Sequence, residues 1–284
     1  MISRNKLIQK LGHLDALPAI PSIAKEILSL KTHTDEGLKA LLELVNNDPI
    51  ILAKIIGLAN SPLFGSSRKI LNLKDSVALL GTSRINMIAL NFALQSALTG
   101  KQTGKLNIQQ LWQHSLAVAM TMDTLAQYMP SDMRPSNNEI YLVGLLHDIG
   151  YLVLKTLDSK LSDKLHTRIA ENPNRSLLEI DLEVLEGIHH GELGSLLAKH
   201  WKLPYTIVET LKYHNTPSES IDSNIKQLVA MICLSEKLLP PLTVAENNLR
   251  DVSREEWQFL KIDPLKAEEI SNKVNKFDLS SALS

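Results

Sequence analysis

The 284 residues are 44% hydrophobic and 21% charged, which predicts a globular protein with one large core or two modest ones. The 30 basic and 31 acidic side chains leave a formal net charge of −1, so no overall field favours a nucleic acid or an anionic membrane as partner. The one cysteine, Cys233, excludes a disulfide framework, and since no apolar run reaches the roughly 18 residues of a membrane span, we expect a cytoplasmic protein.

Apolar residues recur at spacings of three and four along nearly the whole chain, which predicts an all-α protein. Near the N-terminus, residues favoured at helix starts predict three short helices in succession, at Pro21, Asp35 and Pro49. The stretch SPLFGSS at 61–67 clusters proline, glycine and serine without periodicity, which predicts a loop.

Two further helices are predicted on either side of LGTS at 80–83. Gly81 is the expected end of the first, and Thr82 or Ser83 the expected cap of the second. A helix, a glycine turn and a helix are also typical of DNA-binding proteins, but Arg84 is the one cation in TSRINMIALNFALQSAL. A recognition helix needs several cationic and polar side chains, so no nucleic-acid partner is expected.

The polar segment TGKQTGKLN at 99–107 predicts an internal boundary. We therefore expect a smaller helical N-terminal lobe at 1–100 and a multi-helical core with C-terminal helices at 101–284. The core is predicted to contain a long helix around 108–128, a helix that carries the adjacent residues His147 and Asp148, and an amphipathic tail near 264–279.

Several polar residues fall within the apolar stripes of the predicted helices. His114 shares a stripe with Leu111, Val118, Met122 and Leu125, His147 lies with Val143, Gly150 and Leu154, and His214 follows Ile207 and Leu211. Glu236 follows Ile225, Val229 and Ile232, so it is predicted to be a buried carboxylate. Asp148 is likewise flanked by apolar positions.

A single buried histidine is most often a core residue bonded to a carbonyl, but two buried carboxylates with several imidazoles favour a shared pocket, because an unpaired buried charge costs several kcal/mol. Imidazole and carboxylate are ligands for a divalent metal such as Fe, Mn, Zn, Ni or Co. A hydrogen-bonded network that shares protons explains the same burial, and both interpretations stay open.

Seven blocks carry a resemblance to a known family: LPAIPSIAKEILSL, NNDPIILAKIIGLANSPLFG, LKDSVALLGTSRINMIALNFAL, LWQHSLAVAMTMDTLA, VGLLHDIGYLVL, HHGELGSLLAKHWKLP and LKYHN. In this order they resemble the HDOD domain, the HD-related output domain of bacterial signalling proteins, over about residues 14–239. The resemblance implies an N-terminal helical lobe on an HD-type helical core. It also implies a stand-alone signalling or regulatory role through contacts with an unidentified protein partner.

The HD superfamily consists of metal-dependent phosphohydrolases, and its ligand set implies metal ligands at His114, His147, Asp148 and, as a Glu in place of Asp, Glu236. Its branch that cleaves cyclic dinucleotides adds histidines, which fall on His190 and His214 and make a two-metal site conceivable. The alternative function is therefore hydrolysis of a nucleotide or another phosphoester, with Asp148 as the catalytic residue.

The sequence departs from the enzymatic pattern at three points. Tyr151 replaces a lysine that often follows the His-Asp-Ile-Gly run, Asn215 replaces a paired histidine, and NTPSESIDS lacks a GYP motif. These departures disfavour catalysis. Glu183 and Glu186 could be partners of His190, but the simpler alternative is that they are solvated acids, and His189 is expected at the surface or in a turn.

Overall fold

The computed structural model describes residues 18–32, 34–61, 64, 66, 68–98, 104–216, 222–239 and 252–275. These residues form α-helices without any strand, which confirms the all-α prediction. The chain divides into two compact units, whose described parts are Ala19–Ala97 in one and Pro18 with Leu98–Asn275 in the other. Residues 99–103 lie outside the described part, so the division predicted after residue 100 stays a prediction.

The described part of the first unit contains five helices: α1 Ser22–Ser29, α2 Asp35–Asn47, α3 Pro49–Ala59, α4 Leu73–Leu80 and α5 Thr82–Ser96. Gly81 ends α4 with φ 83°, as the sequence predicts. The predicted cap at Thr82 or Ser83 is wrong, because Gly81 itself precedes α5 and no side chain caps that helix. The predicted loop at 61–67 is described only at residues 61, 64 and 66.

The second unit carries the remaining elements: α6 Ile108–Ala126, α7 Asn137–Leu146, α8 Ile149–Leu157, α9 Ser159–Glu171, α10 Leu177–Val184, α11 His190–His200, α12 Tyr205–Tyr213, α13 Ser223–Leu238, α14 Arg254–Phe259, a 3-10 helix Pro264–Lys266 and α15 Ala267–Val274. The predicted long helix at 108–128 corresponds to α6. The predicted tail begins as the 3-10 helix and α15, and its part beyond Asn275 is outside the described residues.

The prediction that one continuous helix carries His147 and Asp148 is wrong. His147 is the C-cap residue of α7, and Asp148, with φ −97° and ψ 8°, precedes the first residue of α8. Periodicity could not reveal this break because apolar residues continue on both sides of it. The break matters for the site, since it allows two adjacent side chains to leave the backbone toward one place.

Two glycines bring helix backbones unusually close in this unit. A Cβ on Gly144 in α7 would lie 2.6 Å from the Cα of Ala119 in α6, and a Cβ on Gly150 in α8 would lie 1.8 Å from the carbonyl oxygen of His190 in α11. Both approaches require a residue without a side chain. They set the ends of α7, α8 and α11 beside one another and beside the middle of α6.

The stretch Asn137–Leu157, which includes α7 and α8, is long and apolar enough to cross a membrane, with a hydropathy of 1.4. However, 83% of that window is buried inside the protein. α4 and α5 pass the same test only as a pair, and they are bent by 116°. Because buried core helices also pass this test, these segments are weak support for a membrane span.

Candidate metal centre

Five predicted site residues meet in the second unit, each delivered by a different helix or helix end. His114 lies within α6, His147 and Asp148 lie at the junction of α7 and α8, His190 is the first residue of α11, and His214 follows the last residue of α12. All five are between 1% and 6% exposed or fully buried. The inward orientation predicted for these side chains is what the structure has.

The functional atoms of these residues converge on Asp148. Its Oδ2 lies 3.3 Å from Nε2 of His147 and 3.6 Å from Nε2 of His114, while its Oδ1 lies 3.2 Å from Nε2 of His190. Imidazole nitrogens also face one another: the Nε2 atoms of His114 and His147 are 3.2 Å apart, and those of His190 and His214 are 3.1 Å apart. The cluster is therefore two imidazole pairs on either side of one carboxylate.

The atoms can be grouped in two ways that suit a metal ion. His114, His147 and Asp148 form one group, and Asp148, His190 and His214 form the other; within each group, the ligand atoms lie within 4.8 Å of one another. Asp148 belongs to both, with one carboxylate oxygen nearer each pair. This arrangement has the donors for one ion, or for two ions that share a carboxylate.

Hydrogen bonds at the other ring nitrogen fix how three imidazoles are protonated. Nδ1 of His147 lies 2.8 Å from the carbonyl oxygen of Gly144, and Nδ1 of His214 lies 2.7 Å from that of Leu211. A carbonyl oxygen can only accept, so each Nδ1 carries a proton, and a ring that holds no second proton turns an Nε2 lone pair toward the cluster. Nδ1 of His190 is held in the same way by the Asp181 carboxylate, at 2.5 Å.

Facing Nε2 atoms at 3.1–3.2 Å need a proton or a metal ion between or beside them. The residues therefore fit a divalent ion, and they also fit protons when no ion is bound. Burial opposes charge on His147 and His190, but Asp148 beside His147 raises its pKa to about 9, and Asp181 and Asp148 beside His190 raise its pKa to about 10.

The other members of the cluster respond to this charge. Burial would raise the pKa of Asp148, but His147 and His190 hold that pKa well below its usual range. Burial and the positive charge on His190 and His147 hold the pKa of His214 well below its usual value. Without metal, the cluster thus carries a carboxylate with protonated imidazoles, and the proton-sharing network predicted from the sequence is the chemical competitor of a bound ion.

Glu236 differs from its prediction. The apolar stripe of α13 is buried at Ile225, Val229 and Ile232, but the Glu236 side chain is 37% exposed, so the predicted full burial is wrong. It lies in the last turn of α13, where the helix reaches the edge of the core. Its Oε1 is 3.7 Å from Nε2 of His147, and it belongs to neither of the two ligand groups.

Tyr151 and Asn215 have described positions, whereas residues 217–221 of NTPSESIDS lie outside the described part of the chain. Tyr151 is buried and stacks on His190, with ring centroids 4.2 Å apart and planes at 26°. The Asn215 amide nitrogen lies 3.0 Å from Nε2 of His190 and 2.9 Å from Nε2 of His214. Both residues touch the second ligand group, so the sequence differs from the resembling enzymes where the ligands would be.

Sequence reasoning missed Asp181 and misjudged the burial of His189. Asp181 is fully buried and bonds His190, whereas Glu183 pairs with Arg168 and Arg175 at the surface and Glu186 is exposed in a turn with φ 56°. The solvated alternative for the two glutamates is therefore the correct one. His189, expected at the surface or in a turn, is buried and directly precedes α11. Asp181 was detectable, because it lies between Leu177 and Val184 at helical spacing.

Comparison with known proteins assigns the chain to a family. Residues 17–217 match the model of the HDOD domain. An uncharacterized protein of Treponema pallidum (strain Nichols) is 25% identical over 209 residues, which are 71% of this chain and 38% of that protein, so the chain spans well under half the length of this relative.

Three solved structures share the fold. A candidate signal transduction protein from Marinobacter aquaeolei VT8 matches with TM-score 0.76 and 21% identity, over 99% of this chain and 64% of that one. An HDOD domain protein of unknown function from Geobacter sulfurreducens gives 0.72 and 23% over 96% and 99%. A candidate phosphohydrolase from Shewanella amazonensis SB2B gives 0.71 and 21% over 97% and 95%. With a match that covers most of its residues, the chain belongs to the HDOD domain family.

Proposed function

We propose that the chain is a cytoplasmic signalling protein that acts through contacts with another protein and binds divalent metal in its buried His/Asp cluster. The observation that carries the metal is the pair of facing Nε2 atoms on each side of Asp148, at 3.2 Å and 3.1 Å, in a set of rings of which three hold an Nδ1 proton on a fixed acceptor. When its second proton is displaced, such a ring offers an Nε2 lone pair to an ion.

The donor set limits the kind of ion. Imidazole nitrogen with carboxylate oxygen suits Fe, Mn, Zn, Ni or Co. The one thiol in the sequence does not join the set, because Sγ of Cys233 lies 3.3 Å from the carbonyl oxygen of His214 and burial raises the pKa of the thiol to about 12. The identity of the ion is left to measurement.

A signalling role is supported by the family and by burial. The five ligand residues are closed off from solvent, which suits an ion that is held or sensed better than a substrate that must enter and leave. They come from the ends or middles of α6, α7, α8, α11 and α12, so binding would tie these helices together. Metal occupancy would then change how firmly the second unit presents its surface to a partner.

The second candidate function is hydrolysis of a nucleotide or another phosphoester. The sharing of Asp148 between two ligand groups favours it, because two ions on one carboxylate are a recurrent arrangement in phosphoester hydrolysis. A bound ion would supply Lewis-acid character toward the phosphate. Against it, Tyr151 and Asn215 place a phenol and an amide beside His190, where neither offers the positive charge that a phosphoryl group needs.

Elemental analysis of the purified protein tests the metal, before and after a chelator and reloading. We expect one or two divalent ions per chain, all lost when the shared residue Asp148 is changed to Ala, whereas His147→Ala should lose only an ion held by its own group. His200→Ala is the matched control, because His200 lies in the last turn of α11 and belongs to neither ligand group. If the His114→Ala/Asp148→Ala protein is as stable as wild type and wild type holds no metal, both functions are wrong.

A screen of nucleotides and phosphoesters with Mn²⁺, Fe²⁺ or Ni²⁺ separates the two functions. The signalling role predicts no turnover by the loaded protein. If the loaded protein shows turnover and Asp148→Ala abolishes it without unfolding the protein, the signalling role is wrong and the protein is a phosphohydrolase.

A further inference from the structure

Asp181 is a fully buried carboxylate on α10 that belongs to neither ligand group. Its Oδ2 accepts two hydrogen bonds from the same residue: one from the backbone N–H of His190 at 2.9 Å and one from the ring Nδ1–H at 2.5 Å. A single oxygen thus fixes both the main chain and the ring of His190. The torsion angles between them have little remaining freedom.

This position is a favourable one for a buried negative charge. His190 is the first residue of α11, so its N–H is one of those that have no partner within the helix. The residue before it, His189, provides no side-chain cap. Asp181 supplies the missing acceptor from another helix, and the positive end of the α11 dipole stabilises its charge.

The bond to a carboxylate distinguishes His190 from two other rings of the cluster. His147 and His214 donate their Nδ1 protons to neutral carbonyl oxygens, whereas His190 donates to a charged oxygen. A carboxylate partner holds the ring in one tautomer and makes the opposite nitrogen a stronger metal donor. That nitrogen, Nε2, lies 3.2 Å from Oδ1 of Asp148 and 3.1 Å from Nε2 of His214.

We infer that Asp181 is a positioning residue for metal binding, which acts through His190 to give the group Asp148, His190 and His214 its affinity for a divalent ion. The stacked ring of Tyr151 holds the face of His190 while Asp181 holds its edge. The inference rests on the proposed metal-binding function. It assigns the two ligand groups unequal strength, because the group at His114 and His147 does not contact Asp181 in the described hydrogen bonds.

The test is titration of metal-free protein with Co²⁺, in wild type, Asp181→Asn and Glu183→Gln. Glu183 is the matched control because it is an acidic residue of the same helix that faces solvent. Asp181→Asn is expected to bind one Co²⁺ about 10- to 100-fold more weakly, and Glu183→Gln is expected to bind like wild type. Thermal unfolding without metal identifies any loss of fold.

A second readout separates positioning from mere stability. In metal-free protein with ¹⁵N-labelled histidine, the Nδ1 proton of His190 should give a strongly shifted, slowly exchanging signal that Asp181→Asn removes. If that variant does not fold, Asp181→Ser is used, because its smaller hydroxyl can still accept from the His190 N–H but carries no charge.

The outcomes are distinct. Wild type that binds Co²⁺ while the Asp181 variants bind it equally well, with the His190 signal intact, would overturn the role of Asp181 alone. Wild type that binds no Co²⁺ would overturn the proposed metal function and this role with it.

Discussion

Gly150 and His190 lie so close that a Cβ on the glycine would be 1.8 Å from the carbonyl oxygen of the histidine. The approach joins α8 to α11 directly next to two of the site residues. A backbone oxygen cannot rotate away as a flexible side chain can, so the fit between these helices depends on the missing side chain. The candidate metal centre is thus supported by backbone packing as well as by the contacts among its side chains.

The first prediction follows from this contact. Gly150→Ala should lower the free energy of unfolding by about 3 kcal/mol, because relief of the overlap must separate α8 from α11. Gly57→Ala is the control: nothing lies within 4 Å of a Cβ there, and alanine in a helix gains about 0.5–1 kcal/mol over glycine. Urea unfolding measures both. Equal stability of Gly150→Ala and wild type would contradict the packing described for these helices.

The sequence predicted the burial of a side chain correctly where its position along a regular helix was enough to determine that burial. Spacing alone placed His114, His147 and His214 inward, because a regular helix carries every third or fourth side chain to one face. Spacing failed for Glu236, because the apolar spacing continues to the end of α13 whereas the buried core ends before this residue. How far the apolar core extends depends on the packing of the other helices, which the periodicity of one helix does not predict.

Sequence periodicity also could not predict the helix break at His147 or the hydrogen-bond partner of His190. Neither His147 nor Asp148 is a proline or a glycine, and Gly150 packs on the backbone of His190 directly after the break. Asp181 has helical spacing with Leu177 and Val184, so its burial was predictable, but its bond to His190 depends on how α10 meets the start of α11. The contact between Asp181 and His190 is therefore visible only in the three-dimensional structure.

The second prediction concerns the stability of metal-free protein. The pKa values of His147 and His190 are about 9 and about 10 in the folded state and near 6.5 when unfolded, so the folded state binds these protons more tightly. Their contribution is fully present below pH 6.5 and is lost as the pH rises through 9 to 10. The melting temperature of chelator-treated protein should therefore fall between pH 6.5 and 9.

The control variants for this pH dependence are His190→Gln, which should flatten the slope, and His200→Gln, which should not. Burial also raises the pKa of Cys233, to about 12, but that group affects stability only above pH 9. His189, with a pKa lowered to about 4 by burial and by His190, acts only below pH 6.5. A melting temperature independent of pH between 6.5 and 9 would contradict protonation of the cluster.

The third prediction concerns the pH dependence of metal affinity, which should rise with pH, whereas the stability of the metal-free protein should fall. An ion must displace the protons held by His147 and His190, so the affinity for Co²⁺ should increase as the pH rises from 6.5 to 9. Titration calorimetry in buffers of different ionisation enthalpy counts the protons released. Release of about one proton for each displaced imidazolium is expected, and binding without proton release would place the ion elsewhere in the protein.

The fourth prediction concerns Asn215, whose amide nitrogen lies 3.0 Å from Nε2 of His190 and 2.9 Å from Nε2 of His214. As a donor, this amide occupies the Nε2 lone pair of His214, which a metal ion needs, and a hydrogen bond of this kind contributes about 1 kcal/mol net. Asn215→Ala should therefore bind Co²⁺ roughly fivefold more tightly, whereas Thr216→Ala, one residue further, should leave binding unchanged. Weaker binding by Asn215→Ala would mean that the amide turns its oxygen to the ion and serves as a ligand.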